Sequence, residues 1–423
     1  MIKFLIKGLL RDRSRSLFPV LTVSAGVFLT VLLHAWISGT RSNMLEHNAH
    51  FDTGHVKVMT RAYAQESAQL PNDLALLGVD SLIDVLQLEK PEWNWTPRIR
   101  FGGLLDIPDE NDETRAQGPV MGLAVDLDKA SPERNLLNLK QALVQGRLPE
   151  QRDEILISDH FSRELNVRPG DTATLISSTM YGAMAIHNFK IAGTVNFGIA
   201  AMDRGAIVAD LLDVQYALDM QDAAGEILGF SPDDVYHHQQ ALSFTHRFNE
   251  RFKDSGDEFA PIMLALSQQN GLEGMLNMVN TMSTTMVIIF VTVMSLVLWN
   301  AGLIGSIRRY GEIGVRLAIG EDKSHLYNTM IAESLAIGVT GSVLGTVLGL
   351  LAAWPMQELG IDFSSAMQNS TMMLSSRMHA QIMPMTFVIG LIPGLLATLF
   401  GASLAGIGIY KRETYQLFKE LEV

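Results

Sequence analysis

The stretch MIAESLAIGVTGSVLGTVLGLLAAW, Met330 to Trp354, decides the fold. It carries a single ionisable residue, Glu333, in a run longer than the ~20 helical residues that cross the ~30 Å hydrocarbon core of a bilayer. Within it Gly338, Gly341, Gly345 and Gly349 recur three or four apart. That spacing lays small residues along one helical face, where a second helix can approach closely. The run predicts a membrane-spanning helix packed tightly against a neighbour.

Working outward, three more apolar runs meet the same length criterion: Leu17 to Ser38, Thr284 to Ile304 and Pro384 to Ile409. Four transmembrane helices are therefore expected in a 1+3 arrangement, with a polar stretch of domain size between the first and the second. Basic residues near span ends stay preferentially in the cytoplasm. Lys3, Lys7, Arg11, Arg13 and Arg15 precede the first run, Arg308, Arg309, Arg316 and Lys323 lie between the second and third, and Lys411, Arg412 and Lys419 follow the fourth. The loop 355–383 carries only Arg377. Both termini are expected inside and the large domain outside. A cleaved signal peptide fits less well, because His34, Ala35, Trp36 and Ile37 make a poor small-residue cleavage site.

Composition agrees. The 423 residues are 48% hydrophobic with a net charge of -13, and acidic groups such as Asp109, Glu110, Asp112 and Glu113 cluster in the polar stretch. An acidic outer surface argues against nucleic acid as a partner. The chain has no cysteine, which excludes disulfides and thiolate metal sites.

The expected organisation is residues 1–16 as a cytoplasmic amphipathic helix, 17–38 as the first span and 39–280 as an outer α+β domain with a stalk. Spans 284–304, 330–354 and 384–409 follow, separated by the inner loop 306–329 and the outer loop 355–383, with 410–423 as a cytoplasmic tail. Residues 1–16 also read as a plain basic flank. In the outer domain, Val56 to Met59, Glu154 to Ile157, Thr172 to Ile176, Phe189 to Val195, Ala206 to Val208 and Phe259 to Leu266 read as strands. Ser158 to Leu165 reads as a helix capped by Ser158, before a turn at 168–171. Asp210 to Met220 and Pro232 to Phe252 read as helices, and Asp106 to Gln117 as a loop.

Several features resemble sites and are outweighed by simpler readings. Met275, Met278, Met282 and Met286 form a thioether stripe, which suits Cu(I) but suits adaptable helix packing better, since no histidine cluster lies nearby. His47, His50 and His55, and His237, His238 and His246, lack the spacing of a tetrahedral metal set. Glu333 would need further acids at bilayer depth to relay protons. His34 is a weak substitute, so a packing or interfacial role is expected. Pro393 and Gly394 are expected to kink the last span without a counterpart elsewhere, which argues against a secondary transporter built from paired broken helices.

The inner loop holds the remaining candidate, RRYGEIGVRLAIG, from Arg308 to Gly320. Ile313, Leu317 and Ala318 can share one face of a short helix, with Glu312 and Arg316 as an i, i+4 pair. Such a helix either docks in a partner's groove or is a charged connector.

That run resembles the coupling-helix signature of the FtsX-like, or MacB-like, ABC transporter permeases. LLRDRSRSLFPVLTVSAGV, from Leu9, is similar to the family's basic start and first span. ESLAIGVTGSVLGTVLG, from Glu333, is similar to its third span, and GRLPEQRDEILISDHFSRELNVRPGDTATLI, from Gly146, to its outer domain. The ending YKRETYQLFKEL departs from the family's usual Pro-containing tail.

The resemblance implies a permease subunit of a mechanotransmission type in the bacterial inner membrane, related to lipoprotein-release permeases. Arg309, Glu312, Ile313, Gly314, Val315, Arg316, Leu317, Ala318 and Gly320 would then contact a cytoplasmic ABC ATPase dimer that binds ATP and Mg. No phosphate-binding loop of the form G-x-x-x-x-G-K-[ST] occurs here, so no cofactor and no enzymatic activity are expected of this chain. The resemblance also implies a second permease, the same chain or a sister, membrane lipids, and a periplasmic carrier or adaptor. The outer domain would have a porter-like part with a subdomain inserted at about 102–195. The expected work is extraction or export of a lipoprotein, lipid or hydrophobic compound. The alternatives are a scaffold that regulates a periplasmic cell-wall hydrolase, and an enzyme anchored to the membrane.

Overall fold

The computed structural model describes residues 13–111, 113–198, 200–253, 256–269, 271–307, 310–363 and 377–411. The chain divides into two compact units, one made of the apolar helices and one from Asn43 to Leu276.

In the helical unit, α1 runs through Arg13–Asn48, beyond the apolar part of its sequence. The segment 1–12 of the expected amphipathic helix and the tail after Lys411 lie outside the described residues.

The second unit is built on a ten-stranded sheet. Its strands are β1 (Val56–Thr60), β2 (Asn94–Pro108), β3 (Thr114–Val125), β4 (Leu143–Gly146), β5 (Glu154–Ser158), β6 (Thr172–Ser178), β7 (Met184–Val195), β8 (Ala206–Asp210), β9 (Glu226–Phe230) and β10 (Pro261–Ala265). Its main helices are α2 (Val79–Glu89), α3 (Asp159–Glu164), α4 (Leu211–Ala217) and α5 (His238–Glu250).

Strand β2 belongs to two lobes. Its first residues, Asn94 to Arg98, pair with β9, extending the order β10-β1-β9-β2. From Ile99 onward it pairs with β3, and Leu104 to Asp106 also pair with β6. The pairs β2 with β3, β3 with β8, β8 with β5, β5 with β7, β7 with β6 and β6 with β2 form a closed ring, a small barrel without a free edge. Phe101, Leu105, Ile157, Leu175, Phe189 and Ile207 are buried within this lobe's part of the core. Two pairs, β3 with β8 and β5 with β7, are parallel.

The barrel corrects the expected insertion at 102–195. Its strands run from Ile99 through Asp210, because β8 lies between β3 and β5. It also corrects the loop expected at Asp106 to Gln117. Asp106 pairs with Gln117 and Ile107 with Ala116, so the reversal is confined to residues after Pro108, where the Asp109 side chain accepts from the N–H groups of Asn111 and Glu113.

In the open lobe, alternation separates two faces. Val56, Val58 and Ile227 belong to the apolar core with Leu86 of α2 and Phe244 and Phe248 of α5, beside the stacked rings of Trp93 and Trp95. Lys57, Glu226, Arg98 and Arg100 occupy the opposite face, with Glu226 directly opposite Arg98, Lys57 opposite Leu228 two residues along β9, and Arg100 two residues along β2. Helix α5 starts at His238, later than the expected Pro232. Asp234 N–H donates to Ser231 O at 3.0 Å and takes φ +52, so the intervening residues form a turn. The expected cap is formed where Ser158 accepts from Phe161 N–H, and the turn at 168–171 closes through Asp171 N–H to Arg168 O.

Candidate coupling and packing site

The helical unit continues with α6 (Leu272–Ile307), α7 (Tyr310–Ala318), α8 (Lys323–Glu358) and α9 (Leu391–Lys411). Among the described residues four helices are long and apolar enough to cross a membrane. The fourth apolar segment is interrupted at Gly390, between a short helix Thr386–Ile389 and α9, three residues before Pro393, whose missing N–H cannot bond back to Ile389, so the expected break in the last span is present.

The glycine stripe on α8 serves two neighbours. A Cβ added to Gly341 would lie 2.7 Å from Val23 Cβ, one on Gly345 2.5 Å from Ser24 O, and one on Gly349 2.7 Å from Val31 Cγ1. All three positions face α1. Gly338 instead faces α9, with Thr398 Oγ1 2.5 Å from the added Cβ. Two glycines that the stripe did not include complete the arrangement. Gly390 lies against Val27 and Val31, and Gly394 against Ser342. Their own i, i+4 spacing was the available signal. Ser24 Oγ donates to Gly341 O at 3.1 Å across the contact. Helices α1, α8 and α9 thus meet nearly backbone to backbone, by dispersion contacts and a few hydrogen bonds.

Helix α6 differs. Its most apolar window is unburied among the described residues, and Met278, Met282 and Met286 are exposed. Of the methionine stripe, Met275 is half-buried and the other three lie open among the described residues. Glu333 lies half-buried on α8 and has an interaction partner. His34 Nδ1 is 3.0 Å from Thr386 Oγ1, which also accepts from Met383 N–H, so this histidine pins the start of the fourth apolar segment.

The segment between α6 and α8 forms the expected short helix, α7, carrying Glu312, Ile313, Gly314, Val315, Arg316, Leu317 and Ala318. Arg309 lies outside the described residues. Gly314 is buried, Leu317 half-buried, and Val315, Arg316, Ala318 and Ile319 are exposed. Val315 and Ile319, one turn apart, are thus exposed with Ala318, whereas Leu317 of the expected face Ile313, Leu317 and Ala318 is half-buried. Gly320 has a role of its own. At φ +101 it lets Glu321 N–H reach Arg316 O while Gly320 N–H reaches Leu317 O, a Schellman closure that ends α7 before α8 begins.

Members of the two histidine groups, His50, His55 and His237, lie near one another in the second unit. His50 Nε2 lies 3.0 Å from Asp234, His237 Nε2 is 2.7 Å from Asp233, and the His55 ring lies beside Phe230 and Tyr236. Among the described residues no group of three ligands converges. Burial pushes the His55 pKa down to about 4, against the weaker pull of Asp234. Its Nδ1 accepts from Ser231 N–H at 3.1 Å, which requires the neutral ring. Ser231 and His55 form a serine–histidine pair, but both are buried and Ser231 Oγ donates to Val235 O, so no substrate reaches them. Hydrogen bonding to His237 holds the exposed Asp233 carboxyl down to about 2.

Sequence reasoning missed one charged constellation. Arg98 forks onto Glu133 through Nε and Nη2, both at 2.8 Å, with both side chains fully buried. Arg100 and Lys57 share Glu226 at 3.0 and 2.6 Å and share Asp52 at 2.8 and 3.3 Å. The partners are far apart in the chain, so no local spacing announced them.

Residues 284–414 match the FtsX-like permease C-terminal family. The matched residues take in α7, most of α6 and all of α8 and α9. Over these residues the chain is similar to the FtsX-like permeases. The chain is also similar to the lipoprotein-releasing system transmembrane protein LolC of Haemophilus influenzae, at 21% identity over 68% of this chain and 70% of that protein. The periplasmic region of MacB from Actinobacillus actinomycetemcomitans aligns with 53% of this chain and 94% of its own, at 13% identity and a TM-score of 0.35, too low to equate the two folds.

Proposed function

We propose that this permease is the membrane subunit of an ATP-driven complex that extracts or exports an amphiphile, such as a lipoprotein, lipid or hydrophobic compound. A separate cytoplasmic ABC ATPase dimer binds ATP and Mg and closes beneath α7. That movement passes through the apolar helices to the outer domain, which lies in the periplasm, with both termini in the cytoplasm of an inner-membrane protein. A second permease completes the complex, and a carrier or adaptor receives the substrate.

The observation that carries this reading is α7 itself. A nine-residue helix sits between two apolar helices, ends at a Gly320 closure and exposes Val315, Arg316 and Ile319. An apolar pair beside a cation is the surface a groove on a partner recognises. The tightly packed, largely apolar helices α1, α8 and α9 support a substrate that arrives from the membrane over one that crosses through a wet channel. The name of the LolC relative points to the same substrate class.

The experiment is reconstitution with the cognate ATPase. Gly314→Trp fills a buried position on α7 and is expected to leave ATP hydrolysis in place while transport stops. Full transport by this variant would overturn the coupling role. Protease accessibility of the outer domain from the periplasmic side of spheroplasts tests the orientation, and protection there would reverse it.

A further inference from the structure

A helix normally leaves its last carbonyl groups to water. At the outer end of α1 nearly all of them find protein partners. Asn48 O accepts from Thr53 Oγ1 at 3.1 Å. The chain then makes one π-helical turn, Ala49–Thr53, and Ala49 O accepts from Gly54 N–H at 2.9 Å. His50 O accepts from Arg98 Nη1 at 2.7 Å and Phe51 O from Arg100 Nη2 at 2.6 Å. Thr53 O accepts from the buried Gln269 Nε2 at 3.0 Å, just before α6 begins. Gly54 makes the exit to β1 at φ +59, where an added Cβ would lie 2.6 Å from Val56 O.

Glu133 holds Arg98 through Nε and Nη2 and Glu226 holds Arg100 through Nε, so both donors are aimed by residues outside the helix end, while Asp52 of the turn itself adds a second carboxylate at Arg100 Nη2. Both are on β2, the strand common to the two lobes. Phe51 adds an apolar anchor, packed with Leu123, Val125 and Val208 on the barrel strands and 5.3 Å from the Phe197 ring. Burying such ion pairs gives little net stability compared with apolar side chains of the same volume. What a planar guanidinium fork supplies is direction.

We propose that Arg98 and Arg100 are positioning residues of the permease. They fix the direction in which α1 leaves the outer domain, so that a displacement of the helix reaches β2 and both lobes together. This role rests on the transport reading above, in which α1 carries motion from the ATPase side.

The test uses the full permease with its ATPase in lipid nanodiscs. Arg98→Lys with Arg100→Lys keeps both charges opposite their carboxylates but removes the fork that also holds a carbonyl. Because the chain has no cysteine, spin labels can be placed at Glu46→Cys on α1 and Gln240→Cys on α5 without background. The unsubstituted joint should give one narrow distance distribution, and the lysine variant a broad one. ATP hydrolysis and the unfolding temperature should hold, while substrate moved per ATP falls about tenfold, the scale of a typical coupling free energy. If the lysine variant does not fold, Arg98→Met with Glu133→Leu removes one pair together, stranding no charge, and should broaden the distribution in the same way. An unchanged distribution would overturn the proposal. So would a broadened one with normal transport per ATP. If the unsubstituted complex hydrolysed ATP but moved nothing, the transport reading would fail instead, and the label distances would still decide the joint.

Discussion

Helix α1 is gripped at two places by opposite means. Along its apolar stretch the partner is α8, and the contact is made by Gly341, Gly345 and Gly349 against Val23, Ser24 and Val31, with a lone side-chain hydrogen bond from Ser24. At its C-terminal end the partner is β2, and the contact is made by Arg98 and Arg100 donating to His50 O and Phe51 O, held with Lys57 by the carboxylates of Glu133, Glu226 and Asp52. The difference follows from the solvent. Lipid tails are as apolar as leucine, so helices in a bilayer gain by approaching closely, and glycine allows that. In the aqueous unit the helix end must replace the hydrogen bonds it loses to water, and charged donors held by counter-ions do so.

The contrast can be broken most severely at the charged end. Glu133→Gln leaves the fully buried Arg98 without its counter-charge and is expected to cost about 3–5 kcal/mol, measurable as a loss of unfolding free energy in the full chain. Removing both members, Arg98→Met with Glu133→Leu, should cost clearly less. If the single variant proved the milder one, the pair would not be the buried unit seen here. At the apolar end, Gly345→Leu pushes a side chain into Ser24 O and Val27, and overpacking of this kind costs ~2–3 kcal/mol. Thermal unfolding in detergent measures it, and an unchanged midpoint would show that α1 and α8 are not in contact.

A change of pH should separate the two ends without mutation. His55 is neutral when folded, with a pKa lowered from 6.5 to about 4. The unfolded chain therefore binds the extra proton first, and stability falls as pH drops below 6.5. Between pH 7 and 5.5 the loss is roughly 1 kcal/mol. His55→Gln should flatten that part of the profile for the outer unit, and an unaltered profile would exclude His55 as its cause. The smallest effect is expected at the inner loop. Gly320→Ala, at φ +101, should cost ~0.5–1 kcal/mol through backbone strain, read as reduced coupling to ATP hydrolysis. Full coupling would show that the closure of α7 can be rebuilt without glycine.

The apolar end was the more legible. Long uninterrupted runs and a glycine every three or four residues are local signals, and they located the spans and the face of α8 that packs. The Ser158 cap and the short strands bounded by Asp, Gly or Pro were equally local. The charged end was not legible, because Arg98 meets Glu133 only once the chain has returned past β3, and Arg100 meets Glu226 only once β2 has paired with β9. The β2–β3 hairpin was hidden by acidic residues, although Ile107 and Ala116 continue the pairing beneath them. Helix α2 lacked a Ser, Thr, Asp or Asn cap, since Gly78 in the left-handed region starts it. On α7 the helix was legible but its outward face was not, because burial of Gly314 rotates Val315 and Ile319 outward.

Strand β2 runs unbroken from Asn94 to Pro108, leaving the open lobe and entering the barrel without a turn. The two lobes therefore have no linker on that side at which evolution or an engineer could cut. A graft that moves the barrel to another permease must carry Arg98 and Arg100 with it, so recipient and donor would have to agree on how the first helix is held before the new lobe could be driven at all.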